Sequence, residues 1–204
     1  KPTIPPWREG FLGRFFQPNV FMPPLRVDPD LNLIQGVAIA FDHSEDLDTY
    51  ILHLDPDAVF HDGSPVTAAD VKKAWEVGAW PENQIGWGAS LIYLRAVQGM
   101  DAVEKGDATE ASGLVPIDDH TLEIKLKAPS ATYPMQMTLW LFGIFKPDFD
   151  DPDWMLHPNG VGPFTATLDP DTGYIELNAA DNWWREKPTL QKAELTYVGD
   201  TQTQ

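Results

Sequence analysis

The 204-residue sequence contains no cysteine, which excludes disulfide bonds, thiol nucleophiles and thiolate metal sites within it. It also lacks a long apolar run, since the longest, residues 139–145, is far shorter than the ~20 residues that span a bilayer. Basic residues are scarce: 14 Lys and Arg stand against 31 Asp and Glu, a net charge of −17. Such an acidic surface repels phosphate backbones, so nucleic acid is not an expected partner. The apolar share of 43% is enough to form a core.

The start of the chain lacks the features of a secretory signal. It begins at Lys1 with no methionine and no charged region followed by an apolar stretch. We therefore expect a processed or excised piece of a longer gene product, with a length that suits one globular domain or two small lobes.

Apolar residues alternate with other residues at period two in several stretches, which is typical of strands. These stretches are residues 50–54, 122–126, 174–177 and 193–198. Aspartate and proline favour tight turns, and Asp-Pro-Asp occurs at residues 28–30, 55–57 and 169–171.

Two helices are predicted from end signals and apolar periodicity. The first begins with Thr67 as N-cap and Asp70 at the third helical position, and Val66 can pack on Val71 as a hydrophobic staple. The second runs from about residue 89 to residue 105, with Gly106 as its stop. Strands and helices that do not alternate strictly indicate an α+β protein, with helices beside a mixed sheet.

The histidines and acidic residues do not form a recognisable catalytic or metal motif. No pair of histidines has the HExxH spacing of a helical zinc site, and His53 is predicted as a half-exposed strand residue. His61 and Asp62 resemble a base with its orienting acid, but the surrounding Phe-His-Asp-Gly-Ser-Pro sequence is rich in turn residues and favours a structural turn. The acidic loop 148–153 lacks EF-hand spacing and is interpreted as solvated surface.

Enzyme signatures are missing as well. There is no Gly-x-Ser-x-Gly nucleophile motif and no Gly-rich phosphate loop ending in Gly-Lys-Ser/Thr. A pair of carboxylates for glycoside hydrolysis stays open among 31 acidic residues, although the sequence singles out no two of them. We therefore assign no catalytic residue, no metal site and no cofactor.

Eight tryptophans are the remaining chemical signal. Trp75 and Trp80 near the end of the first helix are simplest as core residues, and the pair at residues 183–184 is expected at a sheet edge or a junction. Trp87 between two glycines, together with Tyr93, could stack on a peptide or a sugar ring, although packing in the core is the simpler interpretation.

Five blocks, taken in their order along the chain, resemble the family 5 extracellular solute-binding proteins of ABC importers, which include oligopeptide-, dipeptide- and nickel-binding proteins. The block at residues 49–71, with Phe-His-Asp-Gly-Ser-Pro-Val-Thr-Ala-Ala-Asp-Val at its end, is similar to the best-known stretch of the family. The other four are residues 19–38 with Asn-Val-Phe-Met-Pro and Asp-Pro-Asp, residues 118–124, Asn-Gly-Val-Gly-Pro-Phe at 159–164, and Asn-Trp-Trp with Lys-Pro at 182–188.

The resemblance implies a partial type II periplasmic-binding-protein fold. Residues 1–35 and 151–204 would belong to the first large lobe, residues 36–150 would form a small subdomain inserted in it, and the second lobe would be absent from this chain. Two positions depart from the family pattern. Met22 stands where many members have glutamate, and Asp55 stands where Lys or Arg is usual, a change expected to alter the surface charge and not the fold.

The function implied is a binding module that captures a peptide or similar solute between two lobes, with Phe21, Met22, Trp87 and Tyr93 as candidate ligand contacts. The expected partners are the solute and the membrane permease subunits, and a monomer is expected. The expected location is periplasmic or extracellular, either free or with a lipoprotein anchor on a segment outside this chain. A carbohydrate-binding module and a carboxylate-based glycosidase are the alternatives.

Overall fold

The computed structural model describes residues 13–83 and 92–196. These residues form four α-helices and eleven strands. The helices are α1 (Gly13–Val20), α2 (Ala68–Ala79), α3 (Met100–Lys105) and α4 (Tyr133–Gln136). The strands are β1 (Leu25–Val27), β2 (Leu33–Gln35), β3 (Ala38–His43), β4 (Thr49–Leu54), β5 (Leu114–Asp118), β6 (Thr121–Lys125), β7 (Phe145–Lys146), β8 (Asn159–Gly160), β9 (Phe164–Leu168), β10 (Ile175–Ala179) and β11 (Lys192–Leu195).

A four-stranded antiparallel sheet with the order β3-β4-β6-β5 forms the middle of the chain. Along β4, buried and partly buried residues alternate, as the period-two pattern predicts. Tyr50 and Leu52 lie opposite Ile124 and Leu122 of β6, and all four side chains are buried. Burial of one sheet face fixes this register, because a slip of one residue would turn the apolar set to solvent.

The second sheet lies near the end of the chain and has the order β11-β10-β9. Two ribbons, β1 with β2 and β7 with β8, complete the strand pairing described. At each of the three Asp-Pro-Asp sequences named above, the first aspartate accepts a hydrogen bond from the amide two residues on, and the donors are Asp30, Asp57 and Asp171. The predicted turns are therefore confirmed, together with their mechanism.

Helix α2 begins where the capping residues predict. The Thr67 hydroxyl oxygen accepts from the Asp70 N–H at 3.3 Å, and Asp70 accepts from the Thr67 N–H at 2.9 Å, which completes a capping box. Val71 and Trp75 lie on the buried face, and the Trp75 indole donates to the Phe142 carbonyl at 3.0 Å. The capping box stabilises the start of α2, and its buried face packs against the rest of the molecule.

The same helix carries a buried acidic residue. Glu76 is 2% exposed and accepts a hydrogen bond from the Ala111 N–H at 2.7 Å, and the Lys72 ammonium lies 3.8 Å away. Burial raises the pKa of the Glu76 carboxyl above its ordinary value, since desolvation outweighs these two favourable contacts. Glu76 therefore ties the chain before β5 to α2.

The predicted continuous helix from residue 89 to residue 105 is wrong. Residues 89–91 lie outside the described part of the chain, and a short 3-10 turn at Leu94–Ala96 is followed by a separate helix, α3. Between them Val97 forms a bridge with Leu126, and Gly99 has a φ of +79°, which no helix interior adopts. The end signal was correct, because Gly106 terminates α3 in the left-handed conformation.

One connected cluster of buried apolar side chains links the two sheets, and it includes residues from β4, α2, α1 and β9. The four-stranded sheet falls within residues 36–150 and the three-stranded sheet after residue 151. Helices beside sheets without strict alternation form the predicted α+β arrangement. The expected mixed sheet is not found among the described residues, because their strand pairs are all antiparallel. No helix among the described residues combines the length and apolar character needed to cross a membrane.

Asp55 joins these two regions, so the expected change of surface charge is only part of its role. Its side chain is 15% exposed, and one carboxylate oxygen accepts from the Trp184 indole and from the Arg185 guanidinium, both at 3.0 Å. Burial alone would raise the pKa of Asp55, but these hydrogen bonds and the Arg185 charge hold it below its ordinary value. The carboxylate connects the end of β4 to the segment after β10.

We expect Thr67→Ala to lower the free energy of unfolding by about 1 kcal/mol, because the first turn of α2 loses its capping oxygen. Thr67→Ser keeps that oxygen and should retain most of the stability. Urea denaturation of both variants and the parent chain measures the difference. Equal stabilities of the Ala and Ser variants would contradict the capping role.

We expect Asp55→Asn to lower the free energy of unfolding by about 1.5–3 kcal/mol at pH 7, the usual range for hydrogen bonds to a charged group. Because folding depresses the Asp55 pKa, its stabilisation is present above the unfolded pKa and disappears as the pH falls through the folded value. The difference between parent and variant should therefore shrink toward pH 3, when measured by urea denaturation at several pH values. The exposed Asp57→Asn is the matched control, and a pH-independent difference for Asp55→Asn would refute the charge-based explanation.

Candidate functional site

Phe21 and Met22, two of the predicted ligand contacts, lie in the core. Phe21 is 0% and Met22 2% exposed, and the Phe21 ring packs edge-on against Phe145 with ring centres 6.2 Å apart. The Met22 carbonyl accepts from the Ile144 N–H at 3.3 Å. Within this chain the two side chains present no surface to a ligand, although both were predicted as ligand contacts.

Tyr93 and Trp87 are placed differently. Tyr93 is 37% exposed and immediately precedes the 3-10 turn at Leu94–Ala96, whereas Trp87 lies outside the described residues. Phe21 and Met22 are neighbours along the chain and both are buried, whereas Tyr93 is an exposed aromatic residue.

His61 forms a structural link, as the turn interpretation predicts. Its Nδ1 accepts from the Gly160 N–H at 3.2 Å, so the proton of the neutral ring belongs on Nε2, which donates to the Gly162 carbonyl at 2.9 Å. Burial lowers the pKa of the imidazole below its ordinary value, which favours this neutral form. Both ring nitrogens are occupied by backbone groups, so His61 is not available as a general base.

Gly160 has a steric reason to be glycine at this link. A Cβ at residue 160 would lie 2.1 Å from the Val20 carbonyl oxygen and 3.1 Å from the His61 ring. Only a residue without a side chain lets strand β8 approach α1 and His61 this closely.

Asp62, next to His61, completes the turn. It accepts from the Ser64 N–H at 2.8 Å and the Ser64 hydroxyl at 2.6 Å, and the Lys146 ammonium lies 3.6 Å away. Burial opposes ionisation, but these partners hold the pKa of Asp62 below its ordinary value. A carboxylate held in this way is a stable acceptor and not a proton donor.

A pocket of about 550 Å³ opens beside this turn. In its lining, the Lys146 ammonium lies 3.6 Å from the Asp62 carboxylate, and the His157 ring lies 3.3 Å from the Asp151 carboxylate. No local sequence pattern connects Asp62 with Lys146, because they lie 84 residues apart along the chain. The lining comprises His61, Asp62, Lys146, Pro147, Asp148, Asp151, Trp154, His157, Pro158, Asn159, Thr165, Ala166 and Thr167.

A glycosidase of the carboxylate type needs an acid with a raised pKa beside its substrate. Among the described carboxyl groups that show a pKa shift, Glu76 has a raised pKa, and it lies in the core against Ala111, away from this pocket. A general acid must reach its substrate. Across residues 13–83 and 92–196, no three His, Asp or Glu side chains come together as a metal site.

Comparison with known proteins places this geometry in a family. The model of the bacterial extracellular solute-binding proteins, family 5 (middle region), matches residues 32–204. The chain is similar to the oligopeptide-binding protein OppA of Bacillus subtilis, with 22% identity over 88% of this chain and 34% of that protein. It is also similar to the dipeptide-binding protein DppE of Bacillus subtilis, with 27% identity over 95% of this chain and 37% of that protein.

A solved structure agrees with these relatives. The Listeria monocytogenes OppA structure with bound peptide superposes with a TM-score of 0.85 at 21% identity, over 98% of this chain and 41% of that one. The type II binding-protein fold is therefore confirmed as a partial one, and the chain spans about a third of the length of the curated relatives named above. The chain belongs to the family 5 bacterial extracellular solute-binding proteins.

Proposed function

We propose that this chain is part of the solute-binding component of an ABC importer, which captures a peptide or similar small solute outside the cytoplasmic membrane. The observation that carries the proposal is the family match over residues 32–204, on a fold shared with a peptide-bound oligopeptide-binding protein. Relatives named for oligopeptide and dipeptide binding support a peptide as the solute class.

The proposed role needs no chemistry on the solute. His61 and Asp62 act in a structural turn, and the carboxyl with raised pKa, Glu76, is buried. The chain is therefore proposed to bind and not to catalyse, as a monomer that delivers its solute to permease subunits. Its proposed location is periplasmic or extracellular, free or attached by a lipid anchor outside residues 1–204.

We propose residues 1–35 and 151–204 as part of the first large lobe and residues 36–150 as the inserted subdomain. The second lobe would be supplied by sequence outside residues 1–204. Trp87 and Tyr93 are the proposed aromatic contacts of this half of the cleft. Phe21 and Met22 are proposed to support the cleft from within the core, because burial leaves their side chains no surface.

We expect residues 1–204 alone to bind the transported solute no more tightly than about 1 mM, a binding free energy near 4 kcal/mol. A protein that contains both lobes should bind the same solute in the micromolar range or better, because affinity depends on enclosed, desolvated contacts. Mass spectrometry of co-purified material identifies the solute, and calorimetry on both proteins compares affinities. Micromolar binding by residues 1–204 would place the whole cleft in this chain and contradict the two-lobe proposal.

In the two-lobed protein we expect Tyr93→Ala to weaken solute binding about threefold to tenfold, because a stacking surface is lost. Phe149→Ala is the matched control, since Phe149 is 56% exposed and lies in the acidic loop at residues 148–153. Calorimetry at neutral pH measures both variants. An equal effect of the two substitutions would remove Tyr93 from the proposed site.

A further inference from the structure

The second half of strand β3 has an open hydrogen-bonding edge. The Ser44 N–H donates to the Thr49 carbonyl at 2.9 Å, so the pair 44/49 is hydrogen-bonded. In an antiparallel ladder, hydrogen-bonded pairs alternate with non-hydrogen-bonded pairs. Phe41 lies opposite Leu52 and His43 opposite Tyr50, and both pairs are of the non-hydrogen-bonded kind. The backbone N–H and C=O groups of Phe41 and His43 therefore point away from β4. Among the described residues, no strand pairs with them on that side.

The other edges of this sheet are protected. At the start of β3, the Gln35 side-chain amide donates to the Ile39 carbonyl at 3.2 Å, and a register shift lies between Ala38 and Ala40. On the opposite edge, β5 contains Pro116 and a second register shift. Proline and bulges are the usual devices against strand addition, and the segment from Phe41 to His43 has neither.

A groove of about 570 Å³ lies beneath this open edge. Phe41 and His43 are on the same sheet face as Tyr50, with ring centres 6.4 Å and 6.1 Å from it. Alternate side chains of a strand added beside β3 would project to this face. The groove is lined by Leu33, Phe41, His43, Leu47, Tyr50, Ala131, Thr132, Pro134 and Met135, a mainly apolar set.

The acidic charge near this groove favours a ligand with a positive end over a second copy of this chain. The turn after β3 carries the exposed acids Glu45 and Asp46. All strand pairs of this sheet are antiparallel. A strand added antiparallel to β3 has its amino terminus beside that turn. A positive terminus is favoured there, whereas a second copy of this chain would bring its own net charge of −17 to the contact.

We propose that the open edge of β3 binds an extended peptide with a free amino terminus. The peptide adds as a fifth antiparallel strand, hydrogen-bonds to Phe41 and His43, and places alternate apolar side chains in the groove. The groove is not lined by Trp87 or Tyr93, the proposed solute contacts, so this site can be tested independently of the proposed transport function.

The test uses ¹⁵N-labelled chain of residues 1–204 and the hexapeptide amide Lys-Val-Thr-Val-Thr-Val at millimolar concentration. We expect amide shifts at Phe41, His43 and neighbouring groove residues. Two isomers of the peptide are N-methylated, one at its second and fourth residues and the other at its third and fifth. Since only alternate amides of an added strand face β3, one isomer should bind about fivefold to tenfold more weakly and the other nearly as well as the parent.

Surface variants locate the groove without disturbing the core. Met135→Glu should weaken binding about fivefold or more, because it places a charge in the groove. Ile117→Glu on the β5 edge is the matched control, since Met135 and Ile117 are 43% and 58% exposed. The hexapeptide with a free amino terminus should bind more tightly than the same peptide with an acetylated amino terminus. The double variant Glu45→Gln with Asp46→Asn should abolish this difference in affinity. Equal binding of both N-methylated isomers, shifts that map away from β3, or concentration-dependent dimerisation through the same residues would overturn the proposal.

Discussion

The segment from Val20 to Pro24 runs through the centre of the molecule, and its carbonyl oxygens bind three distant parts of the chain. Buried carbonyls must find donors, and the donors here come from sequence far apart. Pro23 and Pro24 have no N–H to satisfy, so these two residues offer acceptors without adding buried donors. The contacts join Val20 to Val161 and Gly162, Met22 to Ile144, Pro23 to Val37, and Pro24 to Gly36 and Ala38.

This constraint explains why Phe21 and Met22 lie in the core. The stretch from residue 20 to residue 25 is a continuous apolar run, which is typical of a segment buried on all sides. The family resemblance predicted a ligand contact at Met22, whereas the apolar run indicates the buried packing that the structure has. The His61 link depends on the same segment, because Gly160 and Gly162 reach His61 only by lying against Val20.

Features decided by neighbouring residues were predictable from the sequence. The Thr67 cap, the Asp-Pro-Asp turns and the faces of β4 and β6 each follow from contacts within a few residues. The prediction of a helix from residue 89 to residue 105 was wrong because the apolar periodicity comes from several short elements that bury the same side. The interruption is non-local: the Gln98 N–H donates to the Lys125 carbonyl and the Gly113 N–H to the Gln98 carbonyl, and no helical pattern contains that information.

The same distinction separates what could be predicted of the surfaces. Asp55 differs from the residue usual in the family, and its partner Arg185 is 130 residues away, so only the folded chain identifies it as an internal contact. The edge of β3 is a second case, because the direction of the Phe41 backbone follows from the register with β4, and the groove below needs residues of α4 and β2. Cores are specified largely by pattern, whereas a surface site depends on which distant segments leave a space between them. For a chain that spans about a third of its curated relatives, binding surfaces are therefore the part of the molecule that sequence pattern determines least.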